Sequence, residues 1–334
     1  MIDVIHKNNL IDEIIIKNEE MAVHVLNLGC TIKNIFVKDK EGHFRDVVLG
    51  YDDVFDYMRY DGYLGACVGR VANRIRDGHF TIDGEDYHLA INNGPNSLHG
   101  GLKGFSYRLF NYTLEDDQVT FSYLSPDGEE GYPGELDLQV IYRLDKTTLT
   151  IEYFAQTNKK TLVNLTNHTY FNLTGHAAFI GDHVLKMKAS RYACVNADGL
   201  VTGEIKDVAD SPFDFRKNKA IGDALKAADT QIEIAKGLDH PFLFDEKQDQ
   251  VSLYSAESGI HLTVSTSLPQ AQIYTANYLD GRMGKNHEPL NAQSAVCIET
   301  QYMPDAIHIE KDPAVILSPE DRYHEMTSYH FTIK

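Results

Sequence analysis

The chain has 334 residues, 43% of them hydrophobic and 24% charged, proportions that suit a globular protein with a large core and exclude disorder as its main state. Its 31 Lys and Arg stand against 49 Asp and Glu, a net charge of −18. A surface that acidic repels phosphate backbones and anionic lipid, so neither nucleic acid nor a membrane surface is expected as a partner, and a neutral ligand fits best.

Taken in chain order, the N-terminus MIDVIHKNNLIDEIII has no basic segment leading into an apolar run, so no signal peptide is expected. Asp83-Gly84, flanked by Phe80 and Ile82 and by Tyr87 and Leu89, predicts a hairpin, because both turn residues accept positive φ. A strand is expected at 119–124. Leu136, Leu138, Val140, Tyr142 and Leu144 alternate with polar residues, Ile141 excepted, and the pattern resumes at Leu149, Ile151 and Tyr153. That is a hairpin with one buried face. The clearest helix signal is 218–229, where Ile221, Ala224, Leu225 and Ala228 share a face. Further strands are expected at 251–255, 260–266, 271–276, 294–299, 314–317 and 328–333. Strands from end to end, with no composition break, predict a single all-β domain over 1–334: a large antiparallel β-sandwich with few short helices.

Cys30, Cys67, Cys194 and Cys297 are widely spaced and form no CxxC, which reads as reduced thiols in a cytoplasmic protein. No apolar stretch approaches the roughly 20 residues of a membrane span. The fifteen histidines show no HExxH or comparable spacing, so no metal site is expected.

The distinctive clusters read as loops. Gly69-Arg70-Val71-Ala72-Asn73-Arg74-Ile75 offers arginine and amide donors suited to sugar hydroxyls, although arginines paired with surface carboxylates would leave the same string. In Asn96-Ser97-Leu98-His99-Gly100-Gly101 the glycines let a ligand approach the backbone, or simply make a turn. His168, in Asn167-His168-Thr169-Tyr170-Phe171-Asn172, is either a general acid or a hydrogen-bonded core histidine. Asp239 lies in Gly237-Leu238-Asp239-His240-Pro241-Phe242. Glu299 ends the apolar run Ala295-Val296-Cys297-Ile298, where burial would raise its pKa and make it a better base.

GRVANRI, INNGPNSLHGG, SPDGEEGYPGEL, NLTNHTYFNL, GLDHPF and IETQYMPDA together resemble the aldose 1-epimerase (galactose mutarotase) family, from about Leu49 to the C-terminus and in that family's order. The resemblance implies a galactose-mutarotase-like super-sandwich that acts on a free aldose without cofactor or metal, and it leaves room for a homodimer. It makes His168 the proton donor and Glu299 the acceptor. His99 would bind the sugar near its ring oxygen, Asn73 and Arg74 would donate to hydroxyls, and Asp239 would accept from them. Gln272 resembles the substrate-contacting glutamine, and Tyr170 a wall of the pocket. Pro241 and His308 depart from the family pattern, which frequently has asparagine at both positions, and bear on sugar preference rather than on the reaction. In this scheme His168 rests protonated and Glu299 ionised. Three rivals are a hexose 6-phosphate epimerase, for which no basic pocket is evident, a glycosidase using Asp239 and Glu299, and a non-catalytic sugar-binding module.

Overall fold

The computed structural model describes residues 1–311 and 313–334. Three antiparallel sheets dominate it. The largest has nine strands, in the order Asn111–Leu114, Gln118–Ser125, Leu136–Asp145, Thr148–Thr157, Tyr323–Ile333, Ile260–Thr266, Val251–Tyr254, Val184–Met187 and Lys219–Ala220. A six-stranded sheet runs Tyr170–Phe171, Val296–Gln301, Gln270–Tyr274, Asp239–Phe244, Ala189–Val195 and Val201–Asp207. The N-terminal 46 residues form a five-stranded meander.

The hairpin at 136–157 follows its pattern. Leu136, Leu138, Val140, Tyr142 and Leu144 are buried while their neighbours are not, and Ile141 lies half-buried on the outer face. Asp83 and Gly84 both take positive φ, 52° and 82°, and join His79–Ile82 to Glu85–His88. One apolar cluster draws Val140, Tyr142 and Phe331 from the nine-stranded sheet, Ile298 and Phe242 from the six-stranded sheet, and Ile14, Val23 and Ile35 from the meander. The three sheets therefore bury their apolar faces against a shared core.

Some expectations need correction. The helix signal at 218–229 resolves into Ile221–Leu225 and a separate helix, Thr230–Ala235, which starts where the Asp229 side chain caps the Gln231 N–H at 2.8 Å. The last strand begins at Tyr323 rather than 328. The strand carrying Glu299 does not end there: it runs on to Gln301, because Thr300 is buried and hydrogen-bonds Thr327 of the nine-stranded sheet at 2.6 Å. Asp239 is likewise in a strand rather than a loop.

Candidate active site

Glu299, Gln272 and Asp239 are carried by three adjacent strands of the six-stranded sheet. In register, Glu299 faces Gln272, while Tyr170, Cys297, Tyr274 and Asp239 form the next row across four strands. Side chains alternate between sheet faces, so these six share one face, and Val296 and Ile298 point the other way into the large core. The shared face is the floor of a cleft of about 470 Å³, lined also by Tyr63, Asn73, Arg74, His99 and His168, with Asp61 and Arg282 at its wall. That volume lies in the range of small-molecule sites.

His168 stands between the short strands Thr166–Asn167 and Tyr170–Phe171. Its N–H bonds the Ala66 carbonyl and its carbonyl accepts from the Gly65 N–H, both at 2.9 Å. The neighbouring Asn167 amide donates to the Gly65 carbonyl at 2.9 Å and accepts from the Thr169 hydroxyl. The ring stacks on Tyr170 at 5.0 Å and meets Tyr274 and His99 edge-on. Its Nε2 lies 3.6 Å from Glu299 Oε1, too far for a direct hydrogen bond.

His99 reaches the cleft from a left-handed backbone, φ 51°, followed by two positive-φ glycines. At Gly100 a Cβ would come within 1.9 Å of the Gly69 carbonyl oxygen, so only glycine lets these loops touch. His99 and Asn73 hold one another: the His99 N–H donates to the Asn73 carbonyl at 3.0 Å, and the Asn73 N–H donates to His99 Nδ1 at 3.1 Å. Because Nδ1 accepts, neutral His99 carries its proton on Nε2, leaving a fixed donor for a ligand. Arg74 is anchored by Asn93 Oδ1 at 2.9 Å and the Gly199 carbonyl at 3.1 Å. Arg70, the other arginine of that string, is fully buried outside the cleft and pins the 125–134 loop through Ser125, Pro126 and Pro133.

Burial dominates the electrostatics. Burial pushes the His168 imidazole down to about 4. Burial, His168 and Arg74 together push His99 well below its ordinary range. Burial and the Asp239 carboxylate push Glu299 well up, with Arg74 opposing. Asp239 is also raised by burial, against Arg74 and the Gln272 amide, which donates to its Oδ1 at 2.6 Å. Both shifts run against a resting state with His168 protonated and Glu299 ionised, since burial disfavours charge on each.

His99, His168 and Glu299 could each turn one ligand atom toward a common point, all within 4.8 Å of one another. The surroundings of His99 oppose a metal there. A metal-bound imidazole donates its other N–H to an acceptor, whereas His99 Nδ1 faces a backbone donor.

The eight residues singled out from sequence thus converge, with one difference of position. Asn73, Arg74, His99, His168, Tyr170, Asp239 and Glu299 line the cleft, while Gln272, buried on the same sheet face, is bonded to Asp239. Sequence reading passed over Tyr63, Tyr274 and Cys297, which surround the His168 ring. The strand period could have found two of them, since Tyr274 and Cys297 each lie two residues from a residue already singled out.

A family model, aldose 1-epimerase, matches residues 12–330. The chain belongs to the aldose 1-epimerase family. It is 43% identical to the galactose mutarotase of Bos taurus over 323 residues, 95% of this chain and 93% of that one. It is 35% identical to the aldose 1-epimerase of Escherichia coli K12, over 94% of this chain and 93% of that one. An aldose epimerase homologue from C. elegans superposes with a TM-score of 0.90 at 32% identity, covering 100% of this chain and 99% of that one. Galactose 1-epimerase from Lactobacillus acidophilus does so with 0.87 at 30%, with the same coverage. The fold is accordingly the galactose mutarotase-like one, and the cleft described above is built on its six-stranded sheet. No helix among the described residues is long and apolar enough to cross a membrane.

Proposed function

We propose that Glu299 and His168 are the base and the acid with which this aldose 1-epimerase interconverts the α and β anomers of a free aldose. Glu299 takes the proton of the C1 hydroxyl while His168 Nε2 gives one to the ring oxygen. The bond from C1 to the ring oxygen breaks and the aldehyde forms. Rotation about the C1–C2 bond presents the other face, and closure returns both protons. The two oxygens sit on one carbon, and the observation that carries the reading is a carboxylate and an imidazole facing one cleft 3.6 Å apart, close enough to flank that carbon together.

The other groups bind. His99 Nε2–H, Asn73 and Arg74 donate to sugar oxygens and Asp239 accepts, its oxygen aimed by Gln272. Galactose is the first substrate to test, after the names of the mammalian relatives. Four buried free cysteines support a reducing, cytoplasmic setting, and the core shared by three sheets supports one domain. The test is polarimetry of freshly dissolved α-galactose, with glucose and xylose alongside. Rotation should relax faster with protein than without; a rate equal to the buffer's on every aldose would refute the reading. A second arrangement, Glu299 as acid and His168 as base, is favoured by one feature: burial raises the Glu299 carboxyl and lowers the His168 imidazole.

A further inference from the structure

In the proposed roles the reacting end of the sugar, C1 and the ring oxygen, sits against Glu299 and His168, which are only 2% and 4% exposed. C4 lies across a pyranose ring from C1, so a sugar seated this way turns its C4 hydroxyl toward the mouth of the cleft. Asp61 stands at that mouth: it lines the cleft, yet its side chain is 80% exposed. We propose that Asp61, locked in place by Arg282, is a specificity-determining residue that accepts a hydrogen bond from the C4 hydroxyl. It would thereby tell apart aldoses that differ at C4, as galactose and glucose do. The inference rests on the reading of Glu299 and His168 as the acid–base pair.

An exposed carboxylate can choose between two hydroxyl positions only if it is held still. Asp61 is held from both sides. On one side, Arg282 Nη1 donates to Asp61 Oδ1 at 2.7 Å. Arg282 is itself fixed, because its Nε and Nη2 fork onto both oxygens of Asp280 at 2.8 and 2.7 Å, and its guanidinium lies 5.1 Å from the centre of the Tyr60 ring. A forked pair of this kind fixes direction as well as distance. On the other side, the backbone is tied to the floor of the cleft. The Tyr170 hydroxyl donates to the Gly62 carbonyl at 2.8 Å, and Tyr63, at φ 55°, sets its ring 4.6 Å from that of His99. Asp61 therefore keeps a fixed place relative to the residues that would surround C1. Arg282 occupies Oδ1, and Oδ2 has no partner among the described residues, which leaves an acceptor for a hydroxyl. Asp198, the other exposed acid lining the cleft, has no cation holding it among the described residues, and so offers charge without direction.

The experiment compares Asp61→Ala, Arg282→Met and Arg282→Lys with the parent protein and with His168→Asn, each first checked for a parent-like melting curve. Polarimetry gives kcat and KM on freshly dissolved α-galactose, α-glucose, 4-deoxygalactose and 6-deoxygalactose. Asp61→Ala should raise KM for galactose roughly five- to tenfold, as one partly solvated hydrogen bond to a charged group warrants, with kcat changed less than about twofold. On 4-deoxygalactose, which lacks the partner hydroxyl, the same variant should change KM less than about twofold, because the bond is already gone. The galactose-to-glucose ratio of kcat/KM should shift at least about threefold in Asp61→Ala. Arg282→Met, which frees Asp61, should raise KM for galactose in the same direction, and Arg282→Lys, a point charge without the fork, should restore part of it. Equal KM changes on galactose and 4-deoxygalactose would overturn the proposal, as would an unchanged galactose-to-glucose ratio or a lost effect on 6-deoxygalactose in place of 4-deoxygalactose. Should His168→Asn turn over like the parent, the acid–base assignment fails instead, and the two failures are told apart.

Discussion

Removing Glu299 should leave an enzyme that works only in acid. In Glu299→Gln the one remaining proton-transfer group is His168, whose ordinary pKa is pushed down to about 4 by burial and not by the glutamate, so the value carries over to the variant. If His168 is the acid, residual kcat/KM follows the imidazolium. It should fall tenfold per pH unit above about 4, to about a thousandth of its acid plateau at pH 7. The parent protein should instead show a bell, falling in acid as Glu299 gains a proton and in alkali as the pair loses its last one. Burial raises the Glu299 carboxyl and lowers the His168 imidazole, so the charged pair is disfavoured. Loss of the base should lower kcat/KM at neutral pH by at least the roughly 10²–10⁴-fold of a general base. The assay is the initial polarimetric rate on α-galactose from about pH 3 to about pH 9, corrected for the uncatalysed reaction. A residual rate that rises through pH 4 and stays high would refute the assignment, because it would make neutral His168 the base.

Two further outcomes are expected. Prolonged chelation should leave kcat/KM unchanged, because the backbone donor at His99 Nδ1 disfavours the cluster of His99, His168 and Glu299 as a metal site; activity lost to a chelator and restored by one metal ion would contradict this. Glu13→Gln should lower stability by roughly 1–3 kcal/mol, since it strands Lys7, Lys33 and His24, which lie 2.7, 3.0 and 2.6 Å from a buried carboxylate. Burial raises that carboxyl, but its three partners outweigh burial and hold it far below the ordinary 4.5. Its stabilisation is therefore present above that pH and lost as pH falls below it, and melting curves near pH 7 and pH 3.5 should show the variant's deficit shrinking in acid.

The sandwich was legible wherever one sheet face meets solvent, because there the alternation shows. Where both faces are covered the alternation is lost, and the strand expected at 294–299 runs instead over Val296–Gln301. Ile14, Ile15 and Ile16 stand in an unbroken run, and Val296–Gln301 is buried at every position, so neither strand carries a period of two. Pro241 further disguised Asp239–Phe244. Its pairing with Ala189–Val195 reaches only Phe242, one residue short of the proline, which has no N–H to donate. The site residues were recoverable from motifs, whereas their geometry depended on register. Nothing in the string places Gln272 between Asp239 and Glu299; that follows from three strands far apart in sequence being neighbours.

Register also explains why a buried acid and base suit this reaction. In the proposed roles, opening the sugar ring turns a carboxylate and an imidazolium into a carboxylic acid and a neutral imidazole, so the pair loses both charges as the aldehyde forms. Burial penalises charge, and it does so on both members here, raising Glu299 and lowering His168. The same desolvation that disfavours the charged pair therefore favours the step to the open-chain form. The counterweight is Arg74, whose charge favours the ionised form of Glu299 and is held in place by Asn93 and the Gly199 carbonyl. Without it the carboxyl would hold its proton too firmly to begin the next cycle. In these roles the reaction needs the two affinities close enough that a proton crosses the sugar in either direction, and Arg74, pulling Glu299 down against burial, narrows the gap between them.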